Sequence, residues 1–337
     1  MLLRVEKTGA ERARQRLAEL GILDRGRRIS RYGRWVHFPL LAPPPDYMGE
    51  IVEQEAGARC VQIPPYYRIM ESARIPGPLK ALLPDKWEML GRVVVLRLPA
   101  ELLGFKTQVA SAFAEVLGAE TVLRDMSGSR GEARVPTMEL LWGEDTETVH
   151  IEGGIKYRFD AAQVMFSSGN IDERMRMGRT VRPGETVVDM FAGIGYFSLP
   201  MAVHGRPKRV FACEKNPVSH GYLKRNIGLN RVGGIIEPLL GDCREVAPEG
   251  VADRVVMGHF RAPDFLDKAL RVLGPGGGIL HVHALCPKDR IPDGAWGPMR
   301  ATIESANRKA AIRNVTRVKS FKPHIWHVVL DVAVDPN

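Results

Sequence analysis

The rhythm of apolar and polar positions divides the chain. From Thr186 onward, short apolar runs bounded by Gly, Pro, Asn and Asp alternate with stretches of helical spacing. The runs predict strands at Val187–Phe191, Arg209–Cys213, Ile235–Leu240, Arg254–Met257, Ile279–Ala284, Asn314–Ser320 and Trp326–Val334. Helices are expected between them at Tyr196–His204, Pro217–Asn230, Pro263–Leu273 and Ala295–Ala311. Such alternation predicts a parallel sheet with crossover connections. Only Phe321-Lys322-Pro323-His324 separates the last two runs. That is too short for a crossover, so those strands should be antiparallel neighbours.

Upstream the pattern is more broken. Ala10 to Leu20 reads as a short amphipathic helix, followed by Gly21 and a basic segment, Arg25 to Arg34, that leads into an apolar strand-like run. Prolines in Leu41 to Asp46 and at Pro64-Pro65 interrupt both helix and sheet. A second unit begins at Gly91, with a strand at Arg92–Leu98, a helix at Lys106–Leu117 and a strand at Thr121–Arg124. A Gly-containing loop, Ser127 to Gly131, follows, and Arg124, Arg130 and Arg134 cluster around it. The expected division is a small module over residues 1–65, a middle α+β domain over 66–155 and an α/β domain over 156–337.

Composition narrows the partner. The 337 residues carry 48 Lys and Arg against 39 Asp and Glu, a balance of 48 − 39 = +9, which suits a polyanion such as nucleic acid. No apolar run approaches the roughly 20 residues of a membrane span, and residues 1–21 lack a signal-peptide core. A cytoplasmic, monomeric protein without a membrane partner is expected. Cys60, Cys213, Cys243 and Cys286 are scattered and argue against a disulfide framework. The pairs His281/His283 and His324/His327 lie in apolar runs without nearby acidic ligands, so no metal site is expected.

The candidate chemistry lies at strand ends. Val187 to Phe197 is a strand that runs through Asp189 into a turn with Gly193 and Gly195, residue types that let a backbone approach a ligand closely. A dinucleotide fingerprint calls for a third Gly where this chain has Ser198. The second strand ends at Glu214, placed to accept the hydroxyls of a ribose. The third is followed by Asp242 and Cys243, suited to an adenine amino group and ring nitrogen. Taken singly, these are also the residues of a tight turn, a salt bridge and a helix N-cap. At the ends of three consecutive strands they point to S-adenosylmethionine, because open α/β sheets bind ligands at their carboxyl edge. A mostly parallel sheet with an antiparallel final strand, preceded by small α+β modules, resembles the class I methyltransferase Rossmann-like fold.

A more specific resemblance spans most of the chain. The middle unit Gly91 to His150, the segment Met165-Phe166-Ser167-Ser168-Gly169-Asn170-Ile171-Asp172-Glu173-Arg174-Met175-Arg176-Met177 and the closing His324-Ile325-Trp326-His327 resemble enzymes that modify the guanosine-derived base next to the tRNA anticodon. One branch methylates N1 of guanosine 37. The other, the wybutosine-synthesising 3-amino-3-carboxypropyltransferases, transfers that group from S-adenosylmethionine to 4-demethylwyosine in tRNA(Phe) and releases methylthioadenosine. After the fourth strand the methyltransferase branch carries Asn followed by Leu/Pro-Pro, whereas this chain reads Met257-Gly258-His259-Phe260. The resemblance therefore implies the aminocarboxypropyl branch, with tRNA as partner and the basic leading and middle modules as its phosphate contacts. An N1-methyltransferase is the alternative, and a noncatalytic RNA-binding subunit is disfavoured by the intact Asp189, Glu214 and Asp242.

The resemblance also assigns residues. Ser167 and Arg174 are implied as cofactor contacts, Arg174 as a clamp on the methionine carboxylate that turns Cγ toward the base. Glu173 is the candidate proton acceptor, although Asn170-x-x-Glu173 also fits a helix-capping pattern. His259 is a second catalytic candidate, and Phe260 could stack on the acceptor base.

Overall fold

The computed structural model describes residues 1–24, 26–45, 49–53, 63–126 and 136–336. Cys60, Arg130, Arg134 and the Ser127 to Gly131 loop lie outside the described residues. The chain forms two compact units, Met1–Glu71 and Ser72–Asn337.

In the first unit, β1 (Leu2–Glu6), β2 (Ser30–Tyr32), β3 (Trp35–Pro39) and β4 (Glu50–Val52) form a sheet in the order β2-β3-β1-β4. Helix α1 (Ala10–Glu19) buries Ala13 and Leu17 against Leu3, Val5, Val36 and Phe38. Helix α2 (Pro65–Ser72) reaches the unit boundary.

The second unit begins with β5 (Trp87–Leu90), β6 (Val93–Leu96), helix α3 (Lys106–Leu117), β7 (Thr121–Asp125) and β8 (Met138–Trp142), which make a four-stranded sheet. Gly118 takes φ 66° at the end of α3, the left-handed conformation that stops a helix. An antiparallel hairpin follows, β9 (Glu147–Glu152) and β10 (Ile155–Asp160), whose alternation buries Ile155, Tyr157 and Phe159. Helix α4 (Ile171–Thr180) leads into the large sheet.

That sheet contains β11 (Thr186–Asp189), β12 (Arg209–Glu214), β13 (Ile236–Leu240), β14 (Arg254–Met257), β15 (Gly278–Pro287), β16 (Ala310–Lys322) and β17 (Ile325–Val334). Their order is β13-β12-β11-β14-β15-β17-β16, with the first five parallel and β17 antiparallel to both neighbours. The crossovers include α5 (Ser198–Pro200), α6 (Pro217–Leu229), α7 (Cys243–Val246), α8 (Leu266–Val272) and α9 (Asp293–Ser305). Asn216 caps α6 through its side chain, and Pro217 at the first helical position loses no hydrogen bond.

Several expected elements differ in type or bounds. The helix expected over Tyr196–His204 is a single α turn followed by a π-helical turn, Met201–Gly205. Pro200 has no N–H to give Tyr196, whose carbonyl instead accepts from Tyr157 Oη at 3.4 Å. The helix expected to reach Ala311 stops at Ser305, where Asn307 at φ 55° turns the chain, and β16 accordingly starts at Ala310 instead of Asn314. The first strand ends at Asp189 because the Phe191 N–H turns back to Asp189 Oδ1 at 3.3 Å.

Candidate active site

The carboxyl edge of β11, β12 and β13 gathers the candidate cofactor residues. Gly193 and Gly195 adopt φ 57° and 104°, conformations costly for other residues. A Cβ at Gly195 would lie 2.7 Å from Leu199, so this glycine also permits the turn to pack on its own helix. Gly193 N–H donates to Glu214 Oε2 at 2.8 Å, and Asn216 N–H donates to Oε1 at 2.7 Å. Gly241 N–H donates to the Glu214 carbonyl at 3.0 Å, tying the third strand end to the second. Each Glu214 oxygen keeps a further lone pair, as a pair of ribose hydroxyls requires.

Asp242 is the N-cap of α7 and accepts from Arg244 N, Nε and Nη2 at 3.0, 2.9 and 2.7 Å. The Arg244 guanidinium holds its carboxyl down to about 2, and the Arg itself lies over Phe265. Cys243 is buried, which pushes its thiol up to about 12, so its backbone is the usable part. Asp189 is fully buried, accepts from Ser198 Oγ at 2.7 Å and is pushed up to about 6 by loss of water. It braces the glycine turn from beneath. Donors, acceptors and close-approach turn together fit the adenosine half of S-adenosylmethionine.

The segment before β11 is built differently from its sequence reading. Arg174 is 2% exposed and makes a bidentate pair with Glu152, Nε to Oε1 and Nη2 to Oε2, both at 2.6 Å. Its Nη1 donates to the Ser167 carbonyl at 2.9 Å, and its Cζ lies 4.7 Å over the Phe166 ring. The bidentate face expected to clamp a methionine carboxylate is therefore taken by Glu152. What remains for a ligand is one hydrogen each on Nη1 and Nη2. The Ser167 hydroxyl accepts from Lys319 Nζ at 2.7 Å. Lys319 comes from β16, 152 residues away, and nothing in the local sequence marks it.

Glu173 is also buried, with both oxygens held by Arg176 at 2.7 and 2.8 Å. The capping pattern is not made: the Asn170 side chain forms no cap bond and Glu173 turns to Arg176 instead. Burial pushes the Glu173 carboxyl above its ordinary range while Arg176 opposes the shift. Arg176 continues to Asp331 at 2.6 Å, and Asp331 pairs with His281 Nδ1 at 2.6 Å. His281 Nε2 meets Arg254 Nη1 at 2.5 Å, and Arg254 is paired with Glu185. Because Arg254 can only donate, the neutral His281 carries its proton on Nδ1. A chain of ion pairs, joined through the neutral His281, thus crosses the large sheet from α4 to Glu185.

On the other side of the sheet centre, His259 stacks on Phe191 with ring centroids 5.4 Å apart, and its Nδ1 accepts from Arg261 N–H at 3.2 Å. Phe260 makes edge contacts with Phe321 and His327 at 5.1 and 4.8 Å. A Cβ at Gly258 would come within 2.6 Å of the Phe197 ring, which itself packs on His283. At the position that carries Asn in the methyltransferase pattern, a side chain here would require the Phe197 ring to shift. His283 Nδ1 lies 2.9 Å from His327 Nε2. Among the described residues no three His, Cys, Asp or Glu side chains converge on a metal-sized site, and no helix is long and apolar enough to cross a membrane.

The TRM5/TYW2 methyltransferase domain matches residues 148–311, the TYW2 N-terminal domain 67–146 and the tRNA methyltransferase 5 N-terminal domain 3–48. The tRNA(Phe) (4-demethylwyosine(37)-C(7)) aminocarboxypropyltransferase of Pyrococcus horikoshii is 41% identical over 273 residues, covering 81% of this chain and 97% of that one. This chain belongs to the TRM5/TYW2 family. The crystal structure of Pyrococcus horikoshii TYW2 in complex with MeSAdo superposes with a TM-score of 0.73 at 40% identity, covering 81% of this chain and all of that one. The tRNA (guanine(37)-N(1))-methyltransferase Trm5b of Pyrococcus abyssi is 34% identical over 341 residues, 99% of each chain. In this family the sheet and its antiparallel close are those of S-adenosylmethionine-dependent enzymes, as the strand pattern implies.

Proposed function

We propose that this protein transfers the 3-amino-3-carboxypropyl group of S-adenosylmethionine to 4-demethylwyosine at position 37 of tRNA(Phe), releasing methylthioadenosine. The observation that carries this reading is Gly258, pressed against Phe197 at the point where the methylating branch has its Asn. The 41% identity to an enzyme named for that transfer agrees with it.

The sulfonium offers three electrophilic carbons, and orientation selects among them. In this reading Glu214, Asp242, the Cys243 backbone and the Gly193–Gly195 turn hold the adenosine half, over a floor set by Asp189. Ser167, Lys319 and the free hydrogens of Arg174 face the carboxylate of the other half, and Glu152 keeps Arg174 in place. Attack by the base carbon breaks the bond from sulfur to Cγ, and the electron pair leaves on sulfur. Glu173 is assigned the proton that the base carbon then loses, which requires it to part from Arg176. His259, stacked on Phe191 just past the end of β14, is assigned the second catalytic role, in contact with the base. The first unit and the middle sheet, roughly residues 1–65 and 66–155, contact tRNA phosphates and position the substrate. The protein acts as a cytoplasmic monomer, without metal or membrane.

Two labels test the reading. Carboxyl-labelled S-adenosylmethionine should mark tRNA carrying 4-demethylwyosine, methyl-labelled cofactor should not, and the small product should be methylthioadenosine. Methyl label in tRNA with S-adenosylhomocysteine as product would establish the N1-methyltransferase alternative.

A further inference from the structure

The register of the large sheet makes one edge longer than the other. The last pair between β14 and β15 is Met257 with Val282, yet β15 continues to Pro287. Five more residues at about 3.3 Å each carry it roughly 16 Å past the end of β14. Along this overhang β15 pairs with the start of β17, Cys286 with Trp326 and Pro287 with Ile325, and β17 pairs there with Ser320 and Lys322 of β16. The tip of the β16–β17 hairpin thus stands beyond the carboxyl edge, on the side where the cofactor residues gather. The chain leaving β14 follows the same overhang, with Arg261 bridged to Ala284.

Two features of this tip are unexplained by packing. Phe321 is 47% exposed while its ring meets Phe260 edge-on at 5.1 Å, so one aromatic is held out from the rim by another at the end of β14. At the same hairpin a cavity of about 550 Å³ is lined by Lys288, Asp289, Arg317 and His324. That volume suits a single nucleotide unit. Among the described residues neither Lys288 nor Arg317 has an ion-pair partner. His324 adopts φ 63° in the turn and is tied by its carbonyl to Lys288 N–H at 2.9 Å, which fixes the two basic residues together.

Unpaired cations on a wall and an exposed aromatic on the same hairpin match the needs of a single-stranded nucleic acid: charge for the phosphodiester and a flat face for a base. We propose that this hairpin tip is a second RNA subsite, which takes the nucleotide flanking the acceptor. Lys288 and Arg317 hold that nucleotide's phosphate, and Phe321 provides the stacking face for its base. Asp289, which also lines the cavity, disfavours a second anion and so limits the site to one phosphate. The inference rests on the tRNA reading above and adds to it where the loop is gripped.

The test uses the full chain, S-adenosylmethionine and an anticodon stem-loop RNA with 2-aminopurine beside the acceptor nucleotide. In wild-type protein the 2-aminopurine fluorescence should be quenched on binding. Phe321→Ala should abolish that quench and weaken binding about fivefold to 150-fold, the range that loss of one base stack corresponds to, whereas Phe321→Trp should keep both. Lys288→Ala/Arg317→Ala should lower the slope of log affinity against log salt by about 0.7, the contribution of one phosphate contact on a single strand, since the two residues share one phosphate. Cofactor affinity by calorimetry should stay at the wild-type value in every variant, which shows that they fold. Wild-type RNA binding with an unaltered slope in the double variant, or an unaltered quench in Phe321→Ala, overturns the subsite alone. Wild-type protein that does not bind the RNA overturns the tRNA reading and the subsite with it.

Discussion

Arg174 and Glu152 face each other through two 2.6 Å hydrogen bonds in a place almost closed to water, with the Phe166 ring against the guanidinium. The pair joins the β9–β10 hairpin to the helix that precedes the cofactor sheet. Through Nη1 it also holds the backbone of Ser167.

Removing one partner leaves the other charged and buried. Glu152→Ala should therefore lower stability by about 3–5 kcal/mol in urea titrations, the usual cost of breaking a buried pair. Glu152→Leu/Arg174→Met should recover a good part of that loss, because no unpaired charge remains. Equal stability for Glu152→Ala and wild type would show that water reaches the pair.

Glu214 is expected to act on cofactor affinity. Its two oxygens anchor Gly193 and Asn216, so Glu214→Ala should loosen the glycine turn as well as remove ribose contacts. Each charge-assisted bond contributes about 1.5–3 kcal/mol, which predicts a Kd at least about tenfold weaker by calorimetry. A folded variant with wild-type Kd would remove Glu214 from the cofactor site.

Gly258 tests the branch assignment sterically. Gly258→Ala should force Phe197 to move and lower the midpoint of thermal unfolding, with an overpacking cost of about 1–3 kcal/mol. Gly258→Asn should lose carboxyl-label transfer without gaining methyl transfer. Gain of methyl transfer by that single change would mean that the residue at this position alone decides the product.

Asp189 sets a pH signature. Its carboxyl is pushed up to about 6 in the folded protein, against an ordinary 3.8. Between these values the folded state holds a proton that the unfolded chain has released, so this group's contribution to stability falls as pH rises from about 4 to 6 and is level above that. Asp189→Asn should flatten that part of the stability profile measured by thermal unfolding. A profile with the same slope in wild type and variant would assign the titration to another group.

The large sheet was legible because its strands are short apolar runs between Gly, Pro and Asn, and period-two signals survive in isolation. Helix α3 was legible for the same kind of reason, with its stop at Gly118. The hairpin β9–β10 was not read, because Glu147–Glu152 carries charged and polar residues at alternate positions and its partner face is supplied by Phe166 and Tyr196 from later in the chain. The candidate site divides in the same way. Gly193, Glu214 and Asp242 sit at strand ends, where position along the sequence locates a side chain. Arg174 and Glu173 sit on a helix whose basic spacing suggests a solvated face, and their burial depends on Glu152 and Asp331, 22 residues before Arg174 and 155 after Arg176. Lys319 was invisible for that reason too.

The place of β17 between β15 and β16 has a consequence for how the protein is made. A ribosome delivers β15 and β16 before β17, so the two cannot be joined while the nascent chain waits for the strand that separates them. Until then β15, paired with β14 on one side, has an open edge on the other, and the strand carries Leu280, Val282 and Ala284. Such an edge invites pairing with other chains. Asp331 arrives with that same strand and completes the line of polar contacts from Arg176 to His281. Closure of the sheet and satisfaction of its buried ions are therefore one event, late in synthesis, and a chain stopped before residue 325 should be retained by chaperones or aggregate.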